Sequence, residues 1–144
     1  MKLWQKNFDT NSEIERFTVG RDREMDLYLA QDDVLGSMAH ITMLESIGLL
    51  EADELKQLLA ELRRIYADIQ KGHFCIEDGI EDVHSQVELM LTRALGDMGK
   101  KIHSGRSRND QVLVDLRLFT RRQLKAVVDD VVALFRELQK QSEN

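Results

Sequence analysis

Proline is absent from all 144 residues, and glycine occurs only eight times. Pro is the strongest breaker of a helix, so its absence leaves nothing to prevent long uninterrupted helices. Cysteine is nearly absent as well. Cys75 has no second thiol to pair with, which excludes an internal disulfide. With no partner motif around it, Cys75 reads as a small apolar filler in a reducing compartment. No apolar run reaches the roughly 18 residues needed to span a bilayer. The segment Met1-Lys2-Leu3-Trp4-Gln5-Lys6-Asn7-Phe8-Asp9 also lacks the apolar core of a signal peptide. The expectation is a cytoplasmic chain with no membrane partner. A basic surplus is missing too: 26 acidic residues face 20 basic ones, and the pI is near 5.2. This argues against nucleic acid as a partner, because phosphate binding needs a basic face.

What is present is helix-forming material. Hydrophobic residues make up 42% of the chain, enough for the core of one domain, and Leu, Glu, Ala, Lys and Arg are plentiful. The fold class is therefore all-α. The first ~20 residues show no sustained period and read as an extended arm with Trp4 and Phe8 as anchors. From about Arg23 to Ile47, the residues Met25, Leu29, Met38, Ile41 and Leu44 fall mostly on one helical face, with Gly48 placed to cap it. Gly36 sits inside this pattern, where it costs about 1 kcal/mol relative to Ala unless close packing requires it. A clearer helix runs from Asp53 to Lys71 through Leu55, Leu58, Leu59, Leu62, Ile65, Tyr66 and Ile69, closed by Gly72, and the two should pack as a hairpin. A third, from Glu81 to Leu95, uses Val83, Val87, Met90, Leu91 and Ala94 and ends in a Gly96–Gly99 loop.

The fourth runs without a breaker from Asp110 to the chain end, with Val112, Leu116, Phe119, Val127, Val131, Leu134 and Leu138 at near-heptad spacing. At roughly thirty residues it exceeds an ordinary globular helix and belongs in a bundle or coiled coil. Around Ala126 to Phe135 its apolar residues cover more than one stripe, which implies neighbours on several sides. These come either from self-association or from a C-terminal continuation.

Chemistry concentrates before that helix. Lys100, Lys101, His103, Arg106 and Arg108 occupy ten residues without a single acid, in an otherwise acidic protein. The stretch runs into the long helix with Ser107 or Asn109 as N-cap, so the positive helix end and its free N–H groups face the loop. Hydroxyl, guanidinium and amide groups there suit the grip of a carboxylate or phosphate. The alternative is a solvated basic turn whose arginines cover neighbouring acidic helices. A phosphate loop of the Walker type is disfavoured, since no Gly-Lys-Ser/Thr ending occurs. A nucleic-acid module would rest on this arginine cluster alone, without aromatic stacking residues nearby.

The string His103-Ser104-Gly105-Arg106-Ser107-Arg108-Asn109-Asp110-Gln111, followed by Val112, Asp115, Leu116 and Arg117, resembles the signature of the argininosuccinate lyases in the fumarase/aspartase superfamily. Two further segments agree in order and spacing. Glu81-Asp82-Val83-His84-Ser85 is similar to the family's Glu-Asp-Ile-His motif, and Asp33-Val34-Leu35-Gly36-Ser37 to its Asp-x-x-Gly-Ser segment. The resemblance covers nearly the whole chain. It implies a helical N-terminal domain (1–109, signature loop included) leading into the first long helix of a central helical bundle (110–144, truncated).

The resemblance also implies reversible elimination of argininosuccinate to arginine and fumarate, in arginine biosynthesis, by a cytoplasmic homotetramer without metal or cofactor. A base removes a proton beside a carboxylate, the charge spreads onto that carboxylate, and the C–N bond breaks. Ser107, Arg108 and Asn109 would stabilise the resulting dianion electrostatically. His84, Asp82 and Asp26 match family positions near the substrate. Taken alone, His84 reads as an exposed polar residue, and Asp26 equally as a first-turn helix charge. His84 and Glu88, four apart, make a poor metal signature. His40 and His73 match nothing. The catalytic acid and base, on the family's Thr-His segment and its mobile Gly-Ser-Ser loop, are expected beyond Asn144, so the implied activity of this stretch alone is negligible.

Two departures fall near the N-terminus. The family's Leu-Trp-Gly-Gly-Arg-Phe is here Leu3-Trp4-Gln5-Lys6-Asn7-Phe8. The substrate-contacting serine expected shortly before Asp26 has no counterpart, leaving Gly20, Arg21 or Asp22 to fill its place. The competing functional class is a noncatalytic helical structural or interaction module, crystallin-like or an isolated fragment.

Overall fold

A computed structural model describes residues 17–143. The arm anchors Trp4 and Phe8 and the departure at Leu3–Phe8 lie outside these residues. The described chain is helical, with no strand, in agreement with the all-α expectation. Its elements are α1 (Asp22–Asp26), α2 (Ala30–Ser46), α3 (Ala52–Gln70), α4 (Val83–Leu95), the single turn α5 (Asp97–Lys100) with a 3₁₀ turn at Lys101–His103, and α6 (Arg108–Ser142).

The helix anticipated from Arg23 to Ile47 is two helices, although no proline separates them. Between Asp26 and Ala30 the backbone shifts to tighter i→i−3 bonding, with Leu29 N–H donating to Asp26 C=O at 2.9 Å and Tyr28 N–H to Met25 C=O at 3.1 Å. The break lets the Asp26 carboxylate turn toward the start of α4, where its Oδ2 accepts from the Val83 N–H at 3.2 Å. Arg23 fastens the same corner by donating through Nε to Ile80 C=O at 2.6 Å.

α2 and α3 form the expected hairpin. Gly48 (φ 76°) follows the last turn of α2 in the left-handed conformation, and the Leu49 N–H closes the helix onto Leu44 C=O at 2.9 Å. Gly72 ends α3 in the same way, with the His73 N–H on Asp68 C=O at 2.9 Å. Leu58, Leu62 and Ile65 of α3 meet Val34, Ile41 and Leu44 of α2, and Val83, Val87 and Leu91 of α4 complete this buried core with Ile102. The three- and four-residue spacing thus marks the core-facing stripe, except that Met25 and Ala94 are exposed.

Two glycines are explained by proximity. A Cβ on Gly99 would stand 2.5 Å from the backbone of Leu91 and Thr92, so the Gly96–Gly99 stretch is not an open loop but a turn of helix pressed onto α4. A Cβ on Gly36 would stand 3.2 Å from Val114 Cγ1 and 3.6 Å from Asp115 Oδ1, so glycine there permits close crossing of α2 and α6. Cys75, expected as an apolar filler, is exposed on the connection between α3 and α4.

α6 has 35 residues and is about 50 Å long at 1.5 Å per residue. Among the described residues, only its first half meets the other helices. Arg122 fixes that half by donating to Asp32 Oδ2 at 2.7 Å and to Tyr28 C=O at 3.3 Å, with its guanidinium 5.2 Å from the Phe119 ring. Beyond it, Leu124, Val127, Val128, Val131, Leu134, Phe135 and Leu138 are all exposed. Among the described residues no helix is long and apolar enough to cross a membrane.

Candidate functional site

Two helix N-termini meet beside the α2–α6 crossing. At the start of α4, Asp82 is the N-cap: extended backbone (φ −153°, ψ 175°) turns its Oδ1 onto the Ser85 N–H at 2.8 Å. Asp26 adds a second carboxylate to this first turn from another element. Its first-turn role is thus real but belongs to α4, since Asp26 is the last residue of α1. Half-burial drives the Asp26 carboxyl above its ordinary value, opposed by the Val83 N–H and by His84.

At the start of α6, Ser107 and not Asn109 is the cap. Its hydroxyl accepts from the Asp110 N–H at 3.3 Å while Asp110 Oδ2 accepts from the Ser107 N–H at 2.7 Å, a reciprocal box. The Gln111 N–H closes onto Ser107 C=O at 3.3 Å. This leaves the amides of Arg108 and Asn109 without a partner among the described residues, at the positive end of a long helix. Ser107 and Asn109 are exposed. Arg108, half-buried, reaches back to α4 and donates through Nη1 to Asp82 Oδ2 and through Nη2 to Ser85 Oγ at 3.1 Å.

The basic stretch therefore divides. Lys100 pairs with Asp97 at 2.6 Å and Lys101 with Glu54 at 2.5 Å, as a solvated basic turn would. Arg106 and Arg108 turn inward instead, Arg106 donating to Ser37 Oγ at 3.0 Å. His40, unassigned from sequence, holds the turn by a ring nitrogen 2.8 Å from Ser104 C=O.

His84 is not an exposed polar residue: it is 7% exposed. Its Nδ1 lies 2.7 Å from Asp33 Oδ1 on α2 and 3.7 Å from Asp115 Oδ2 on α6. Gln111 Nε2 lies 3.5 Å from the same Asp33 oxygen. Burial alone would depress the imidazole, but the Asp33 hydrogen bond and the charges of Asp33, Asp115 and Asp26 outweigh it and raise His84 above its ordinary value. Burial, reinforced by Asp33, pushes the Asp115 carboxyl up to about 7 against the attraction of His84 and Arg106.

Asp33, His84 and Asp115 bring ligand-type atoms within 4.8 Å of one another, a spacing a metal ion could bridge. The Nδ1–Asp33 separation is that of a hydrogen bond, and Arg106 supplies positive charge nearby. The set fits an acid–imidazole network held by protons.

The structure thus brings Asp26, Asp82, His84 and Arg108 around one helix start, with Ser107 and Asn109 on the adjoining turn. Asp33, Ser85, Gln111 and Asp115, read from sequence only as members of the motif strings and not as site residues, join them. A signal for three of these was available: Asp33 with Ser37, and Gln111 with Asp115, are polar pairs four residues apart on buried helix faces.

A family model described as Lyase matches residues 7–144. The chain belongs to this lyase family. Among curated proteins, the segment is 76% identical over 141 residues to an argininosuccinate lyase of Phocaeicola vulgatus, covering 98% of the chain and 32% of that relative. It is 71% identical over 142 residues to an argininosuccinate lyase of Bacteroides thetaiotaomicron, with 99% and 32% covered. A Thermotoga neapolitana argininosuccinate lyase is 41% identical over 137 residues, with 95% and 34% covered. The chain spans about a third of the length of these curated relatives. The resemblance read from the His103–Gln111 string is borne out by this family match and these relatives.

Proposed function

We propose that this lyase segment is the N-terminal portion of an argininosuccinate lyase, which eliminates arginine from argininosuccinate reversibly to leave fumarate, as a step of arginine biosynthesis in the cytoplasm. Residues 1–109 form the N-terminal helical domain and 110–144 the start of a central-bundle helix through which the intact enzyme assembles as a homotetramer. The observation that carries this reading is the turn from Ser107 to Asn109. Two helix-start amides, those of Arg108 and Asn109, have no partner among the described residues, and Arg108 holds the turn onto Asp82 and Ser85.

Such preorganised donors bind a substrate carboxylate and stabilise it further as charge develops on it, without reorganising during the reaction. His84, Asp82 and Asp26 line the adjoining helix start, where a carboxylate or an amine of the substrate would meet them. The proton-transfer groups are supplied from outside these 144 residues, so the segment alone has no appreciable turnover. The test is release of fumarate, followed by its ultraviolet absorbance, from the purified segment and from the full-length enzyme bearing it. Turnover by the full-length protein with none by the segment is expected. Comparable turnover by both would overturn the assignment of the acid and base elsewhere.

A further inference from the structure

The polar network behind the α4 N-terminus holds more charge than a helix crossing needs. Asp33 and Asp115 are each 1% exposed and come from different helices. Each has one oxygen, Oδ2, with no hydrogen-bond partner among the described residues. A buried, unpartnered carboxylate oxygen costs stability, and an apolar pair of similar volume would hold two helices together better. Both carboxyl groups converge on one atom, Nδ1 of His84, at 2.7 and 3.7 Å. Gln111 steadies the nearer carboxylate from the side, and Arg106 acts on both acids from the loop.

We propose that Asp33 and Asp115 are positioning residues for His84, fixing the orientation of its ring so that Nε2 is the nitrogen offered to the substrate. This rests on the reading of His84 as a substrate contact. An imidazole committed through Nδ1–H to a carboxylate has its tautomer and plane set, and its other nitrogen becomes the working one. The ionisable groups around the network are Asp26 of α1, Asp32 and Asp33 of α2, His84 and Glu88 of α4, Arg106 of the loop and Asp115 of α6. The acids against the ring outnumber the single arginine, so the imidazolium is favoured and Nε2–H is a charged donor suited to a carboxylate.

The test is a pair of double-mutant cycles in the full-length lyase bearing this segment, combining His84→Asn with Asp33→Asn and with Asp115→Asn. His84→Asn alone is expected to lower kcat/KM by about 10- to 100-fold, the size of losing one charge-assisted hydrogen bond to the substrate. Adding either aspartate substitution to it should lower kcat/KM by less than about twofold more, because residues acting through one group are not additive. Asp33→Asn alone should raise KM and move the alkaline limb of the kcat/KM pH profile to lower pH, because the Asp33 carboxylate is what favours the protonated ring. Losses that multiply in both cycles would overturn the positioning role while leaving the substrate contact standing. An unchanged kcat/KM in His84→Asn would overturn both. Asp115→Asn matches the shape of the protonated acid, so its cycle decides the matter if Asp33→Asn fails to fold, as thermal melts by circular dichroism would reveal.

Discussion

Arg108, the first residue of α6, donates to the carboxylate of Asp82, the N-cap of α4, and through its second Nη to Ser85 Oγ at 3.1 Å. One planar fork thus ties together two helix starts that lie 26 residues apart in sequence. Lys carries the same charge but cannot satisfy two acceptors in fixed geometry. Arg108→Lys should therefore lower stability toward urea by about 1 kcal/mol, a modest figure because the pair is partly open to solvent. Arg108→Ala should do worse by stranding Asp82. Equal urea midpoints for the Lys variant and the parent would show that the fork contributes nothing.

The raised acid Asp115 makes a prediction about pH. Its folded value of about 7 lies above the ordinary 3.8, so between these limits the folded chain holds a proton that the unfolded chain releases. Stability then falls as pH rises from about 4 to about 7 and is level on this account above it. His84 acts in the same direction: raised above 6.5, it stabilises the fold most at low pH and loses that contribution as pH rises through its folded value. Asp115→Asn, a permanent mimic of the neutral acid, should flatten the slope below pH 7. Thermal melts of both proteins across this range provide the check, and parallel curves would count against the raised acid.

The sequence made some of this legible and concealed the rest for identifiable reasons. Leu58, Leu62 and Ile65 announce the core face of α3 because that helix has apolar residues on one side and charges on the other. The break at Leu27–Leu29 was hidden, since no breaker marks it; it follows from Asp26 bonding to Val83, 57 residues away. The burial of His84 was hidden for the same reason: its partners Asp33 and Asp115 sit on other helices, and a lone His between Val83 and Ser85 looks like a surface residue. Local chemistry narrowed the cap to Ser107 or Asn109, and the reciprocal bonding of Ser107 with Asp110 decides for Ser107. Cys75 was misplaced because small size allowed burial, whereas its position on a connecting segment decides exposure.

Gly36 and Gly99 should respond differently to the same substitution. A methyl group on Gly99 would meet fixed backbone at 2.5 Å, so Gly99→Ala must displace α5 from α4 and should lower the melting temperature sharply. On Gly36 it would meet the Val114 side chain at 3.2 Å, which a small rotation can relieve, and the helix propensity of Ala offsets part of the strain by about 1 kcal/mol. Gly36→Ala should be nearly neutral and Gly36→Leu strongly destabilising, through separation of α2 and α6. A melt in which Gly36→Ala is as damaging as Gly99→Ala would contradict the geometry.

The outer half of α6 supplies the last prediction. Val127, Val128, Val131, Leu134, Phe135 and Leu138 are between 56% and 62% exposed, on a helix that has left the rest of the chain behind. Their spacing of three and four residues forms a continuous apolar stripe, and stripes of this extent are covered in solution by another surface. The segment of 144 residues should therefore associate through α6, with a mass by light scattering that rises with concentration. The flanking Lys125 and Asp129 neutralise each other as a pair at 2.8 Å. Val131→Lys together with Leu134→Glu should yield a monomer whose core melts at an unchanged temperature, since neither side chain touches that core. A parent segment that stays monomeric at high concentration would show that the stripe is covered within the chain.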